Sequence, residues 1–72
     1  MGEVQMIPVS SSNVAAIGYD AANQRIYVRF VNGPGGYYEG CDADLFQAFL
    51  DSDSKGSFLG RKLKGVYPYS RS

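Results

Sequence analysis

The feature that most constrains the fold is the octapeptide from Gln24 to Val31, in which apolar Ile26, Val28 and Phe30 alternate strictly with Arg25, Tyr27 and Arg29. A period of two places the two sets on opposite faces of a strand, so one face is committed to a core and the other is left outward. Asn32-Gly33-Pro34-Gly35-Gly36 follows, with glycines that permit positive φ and a proline that fixes a bend, so the chain should reverse into a strand from Tyr37 to Gly40. Upstream, Val14-Ala15-Ala16-Ile17-Gly18-Tyr19 reads as another strand, joined to the octapeptide by Asp20-Ala21-Ala22-Asn23. The expected sheet is a three-stranded antiparallel β-meander.

The pattern then changes period. Asp42 can cap a helix over residues 43–52, whose Leu45, Phe46, Phe49 and Leu50 form one apolar stripe. Ser54 can cap a second helix carrying Phe58, Leu59, Leu63 and Val66, with Gly65 placed to stop it and Pro68 to prevent its resumption. Gly56 and Gly60 weaken that helix by roughly 1 kcal/mol each relative to alanine, so it depends on tertiary contacts. The fold class is α+β: a three-stranded meander packed against two short C-terminal helices.

Seventy-two residues make one domain, 1–72, near the lower size limit for a single core without disulfides or metals. Residues 1–9, with Val4, Met6, Ile7 and Val9 around Pro8, read as an extended arm, mobile in part. The lone Cys41 cannot form an internal disulfide, and with no signal-like segment this favours a cytoplasmic setting. No apolar run approaches the ~20 residues that span a bilayer, so no membrane partner is expected.

The chemistry is bounded from the negative side. There is no histidine, which removes the commonest general base, nucleophile partner and transition-metal ligand. Cys41, at a strand-to-helix junction, suits a small buried hydrophobe better than a nucleophile. Asp42, Asp44, Asp51 and Asp53 do not reproduce a calcium-loop spacing and suit helix starts instead. Neither Gly33-Pro34-Gly35-Gly36 nor the Gly56 to Gly60 segment has the Gly-Lys-Ser/Thr ending of a phosphate loop. The expectation is a protein that is not an enzyme, with no catalytic residue, metal, cofactor or small-molecule substrate.

What remains is an asymmetry of charge. All seven acidic residues precede Ser54, whereas five of the seven basic residues follow it, and the whole sums to zero. Lys55, Arg61, Lys62, Lys64 and Arg71 share that terminal segment with Tyr67 and Tyr69, a combination that can grip phosphates and stack bases. The ordinary alternative is that the tyrosines pack on the sheet and the cations only offset the acids. Arg25, Tyr27 and Arg29 offer a second surface of residue types that often anchor protein interfaces.

Together the residues resemble the KTSC domain, a family of short free-standing proteins, some from bacteriophages, also found attached to certain lysyl-tRNA synthetases. The resemblance runs from Val9 to Arg71. It is carried by Ser11-Ser12, Tyr19-Asp20, the alternating strand ending in Phe30, Gly36 with Tyr38, Phe46 and Leu50, Ser54-x-Gly56, Phe58, and Gly65-x-Tyr67-Pro68-Tyr69-x-Arg71. Cys41-Asp42 stands where the family typically has Val-Pro, and Leu59-Gly60 replaces a common Phe-Asn. The resemblance implies the fold and, by the link to a tRNA ligase alone, contact with RNA or with the translation apparatus. The function expected is a regulatory binding protein that docks on a macromolecular assembly of transcription or translation, host RNA polymerase if the chain is phage-encoded; the alternative is a module for RNA or single-stranded nucleic acid.

Overall fold

The structure, a computed structural model, describes residues 4–71. Strands β1 (Ile7–Pro8), β2 (Val14–Asp20), β3 (Arg25–Phe30) and β4 (Gly36–Glu39) lead into helix α1 (Ala43–Asp51), helix α2 (Lys55–Phe58), a π-helical turn (Leu59–Leu63) and strand β5 (Tyr69–Arg71). The sheet is antiparallel throughout, in the order β1-β2-β3-β4-β5. An α+β domain with a meander and two helical pieces is therefore correct, but the sheet has five strands rather than three. Both additions lie where periodicity cannot be read, in segments of two and three residues with a proline in or beside them.

Of the expected arm, 1–9, residues 1–3 lie outside the described residues. Ile7 and Pro8 pair with Ile17 and Ala16, and the Val9 amide donates to the Ala15 carbonyl at 3.1 Å. Ahead of them the chain crosses Gly18 so closely that a Cβ there would lie 2.8 Å from both the Met6 sulfur and a Val4 methyl. Glycine at 18 is what lets the arm lie down.

In β2 a bulge between Val14 and Ala16 inserts one extra residue against β3, so Val14 and Ile17 both turn inward. The turn after β2 is closed by Asp20, whose Oδ1 accepts from the amides of Ala22 at 3.1 Å and Asn23 at 3.3 Å. Ile26 and Val28 of β3 face the core as their alternation requires, and Phe30 packs half-buried at its margin.

Helix α1 starts where Asp42 Oδ1 accepts from the Leu45 amide at 2.8 Å and ends where the Ser52 hydroxyl donates to the Phe49 carbonyl at 2.7 Å. Phe49 is completely buried and stacks on Phe58 with ring centroids 5.1 Å apart. Phe46 stacks on Tyr19 at 5.4 Å, and the Tyr19 hydroxyl donates to the Cys41 carbonyl at 2.8 Å, fastening the helix start to β2.

The second helix departs from its expected course. Ser54 caps it, accepting from the Ser57 amide at 3.3 Å, but after one α-turn it widens, and the Lys64 amide donates to the Leu59 carbonyl five residues back at 2.8 Å. Leu59 and Leu63 fill the core, and Gly65 at φ +79° turns the chain away before Val66 can rejoin the stripe. Val66 is thus 60% exposed, not a core residue.

The returning chain completes the sheet. The Glu39 amide donates to the Pro68 carbonyl at 3.0 Å, and Tyr38 and Tyr37 then pair with Tyr69 and Ser70. α1, α2 and the π-turn are therefore one excursion between two neighbouring antiparallel strands.

Candidate binding surfaces

The sheet's outer face, opposite the helices, holds Arg25, Tyr27 and Arg29 as their alternation predicts. Two of the three are engaged within the protein. Arg25 stands across from Glu39 on β4, Nε to Oε1 at 3.6 Å, and its guanidinium lies 4.5 Å from the centroid of the Tyr37 ring. Tyr27 lies directly opposite Tyr37, with centroids 5.1 Å apart. Both are half-buried, whereas Arg29 is exposed beside a hollow that Val4, Met6 and Pro34 also line. Of these three, Arg29 is the one whose charge has no partner among the described residues.

The terminal cations divide in the same way. The Lys55 ammonium turns inward and donates to the Ser52 carbonyl at 2.6 Å, where it closes the end of α1. Arg61 and Lys62, on the π-turn, and Lys64, just past it, are exposed, as is Arg71 on β5. Among the described residues the ion pair between Arg25 and Glu39 is the one formed, so these four cations have no carboxylate partner there. Arg61 and Lys62 border a hollow of about 210 Å³ with Ser52, Ser54, Ser57 and Phe58.

On the other side of the π-turn lies a larger groove, about 420 Å³, lined by Phe30, Tyr38, Leu59, Lys64, Gly65 and Tyr69. Tyr69 is 42% exposed, but it is not a free ring: it sits 4.8 Å from Tyr38, its direct strand partner, and its ring occupies the space that a side chain at Gly36 would need. Burial, and secondarily Tyr69, push the Tyr38 phenol above its ordinary pKa of 10.0, so it stays protonated and able to donate. Tyr67 packs half-buried against the core. Tyr67 and Tyr69 are therefore packed, the first against the core and the second against Tyr38, which is the ordinary alternative the sequence left open rather than a projecting stack.

Sequence reasoning did not find this groove. Phe30 and Leu59 read as core residues and Tyr38 as part of a strand and of the family pattern, and the groove exists because β5 returns to pair with β4, a contact that no local signal announces.

Cys41 is completely buried, and burial raises its thiol above its ordinary pKa of 9.0. Its sulfur lies 3.6 Å from the Tyr38 carbonyl. Asp42 is occupied at the start of α1, and Asp51 accepts from the Gln47 amide nitrogen at 3.2 Å. Among the described residues no three potential metal-ligating side chains converge, and no helix is long and apolar enough to cross a membrane.

Residues 10–67 match the family model described as the KTSC domain. A protein of Tsukamurella paurometabola is 36% identical over 59 residues, which cover 82% of this chain and 88% of the relative. The crystal structure of a KTSC domain protein from Yersinia pestis superposes with a TM-score of 0.93 at 31% identity, over 97% of this chain and 99% of the other.

Proposed function

This chain belongs to the KTSC domain family, and we propose that it is a non-enzymatic regulatory protein that works by docking on a protein assembly, with the transcription and translation machinery as the first candidates. One observation carries the reading. A single turn and the residue after it present three exposed cations, Arg61, Lys62 and Lys64, at the margins of two separate hollows, with Arg71 on β5 and no acid anywhere in the sequence between Ser54 and Arg71. An ordinary solvated surface would intersperse the signs; this one favours an acidic counterpart.

A protein counterpart fits better than a nucleic acid. The rings needed as stacking platforms are already engaged, Tyr67 against the core and Tyr69 against Tyr38. The non-enzymatic reading is supported by a chain without histidine and by a sole thiol that is sealed and held in its unreactive form.

Affinity capture from a bacterial lysate with tagged chain tests this, run with and without nuclease and repeated with Arg61, Lys62 and Lys64 all changed to glutamate. A protein assembly should be retained through nuclease treatment and lost with the triple variant. Capture that nuclease abolishes would move the function to RNA, and indifference to the triple variant would remove the cationic surface from it.

A further inference from the structure

Within that cationic surface, the groove beside the π-turn has the form of a receptor for one side chain. Its lining is apolar on three sides: Phe30 from β3, Tyr38 from β4 and Leu59 from the turn, with Tyr69 as the outer wall. Lys64 is the one charged residue among the residues that line it. The volume, about 420 Å³, lies in the range of small ligand sites, ~300–1,000 Å³, and accommodates a large side chain with room for its backbone.

The walls are set in advance of any ligand. Tyr69 is held by strand pairing with Tyr38, by the contact between the two rings, and by the absence of a side chain at Gly36, which lets the ring lie over that glycine. A ring fixed in this way loses little freedom when a partner arrives, so burial there is not offset by ordering.

We infer that the groove is the receptor for a single large apolar side chain, aromatic or branched aliphatic, carried by an acidic peptide segment of a partner protein, with the Lys64 ammonium meeting a carboxylate beside it. The acidity follows from charge complementarity: Lys64 at the groove, Arg61 and Lys62 around the same turn and Arg71 two residues beyond Tyr69 have no opposing carboxylate among the described residues. The apolar anchor follows from the lining. A nucleobase fits less well, because Tyr38 is 4% exposed and Tyr69 already packs against it. The inference rests on the docking function proposed above and assigns it a pocket and a recognition chemistry.

The test is an amide NMR titration of the labelled chain with acetyl-Asp-Asp-Glu-Phe-Asp-Asp-amide, with the same peptide carrying alanine for phenylalanine, and with an oligouridine of equal charge. Saturable shifts are expected at Leu59, Lys64, Gly65 and Tyr69. The alanine peptide and the exposed-site variant Lys64→Glu should each weaken binding at least ~10-fold. Arg29→Glu, on the opposite face of the sheet, should leave it unchanged within about twofold, as expected for a charge outside the contact. Equal affinity for the two peptides, shifts confined to the outer face, tighter binding of the oligouridine, or no shift at about 1 mM peptide would each overturn the inference. The docking function is judged separately: if Lys64→Glu keeps nuclease-resistant capture while losing the peptide, docking stands and the groove is not its site.

Discussion

Two glycines five residues apart, Gly60 and Gly65, should respond to alanine with opposite signs. Apart from the adjoining backbone, neither has a heavy atom within 4 Å of where a Cβ would be built, so tertiary packing contributes nothing and the backbone decides. Gly60 lies inside the π-turn with an ordinary negative φ, where alanine removes unfolded-state freedom and should stabilise by about 0.4–1 kcal/mol. Gly65 sits at φ +79°, where an L side chain crowds the following carbonyl and should cost about 1–2 kcal/mol. The gap between Gly60→Ala and Gly65→Ala is then about 2 kcal/mol, a large part of the ~4–11 kcal/mol expected for a domain of this size. At ~4–8 °C per kcal/mol the melting temperatures should stand roughly 8–16 °C apart. Urea unfolding followed by circular dichroism measures both variants. D-alanine placed at position 65 by chemical synthesis should stabilise, since its preference is for positive φ. Destabilisation by both L-alanine variants, or no gain from the D residue, would refute the reasoning and mean that the turn is held by something other than backbone conformation.

Tyr19→Phe removes the 2.8 Å bond to the Cys41 carbonyl while keeping the stack on Phe46, and should cost about 1 kcal/mol in the same unfolding assay. Cys41 should react with a thiol reagent only at the rate of opening, so that stabilising Gly60→Ala slows labelling; fast labelling of the folded chain would contradict its burial. The Asp20 carboxyl is held below its ordinary pKa of 3.8, chiefly by the Asn23 side-chain amide, 2.8 Å away. A depressed folded-state value means that this contribution is present above the unfolded pKa and is lost as pH falls through the folded one. NMR titration should show the Asp20 value rising in Asn23→Ala.

The elements legible in the sequence were those whose signal is local. The alternation from Gln24 to Val31 defined β3 and its two faces, Asp42 and the Leu45–Leu50 stripe defined α1 to within a residue, and Ser54 marked the start of the next helix. The misses share a cause. Ile7–Pro8 and Tyr69–Arg71 are strands only because β2 and β4 offer them a ladder, and the π-turn arises where two leucines must reach the core before Gly65 diverts the chain. The candidate surface divides accordingly: Arg61, Lys62 and Lys64 are exposed, as a basic helical turn implies, whereas Tyr69 and Arg71, which carry no strand signal of their own, belong to the sheet. Gly36, Tyr38, Gly65 and Tyr69, scattered in the family pattern, meet at or beside one groove.

The brevity of the two outermost strands has a consequence for handling. With a proline on one side and only three residues on the other, either rim offers a neighbouring molecule little ladder to extend. When a rim peels away by local opening, that protection goes with it. On the β1 side the newly bared edge is β2, whose stretch from Val14 to Tyr19 carries no charge and no proline, the composition from which intermolecular sheets nucleate. Self-association under mild destabilisation should accordingly begin at that strand, well before the core itself melts.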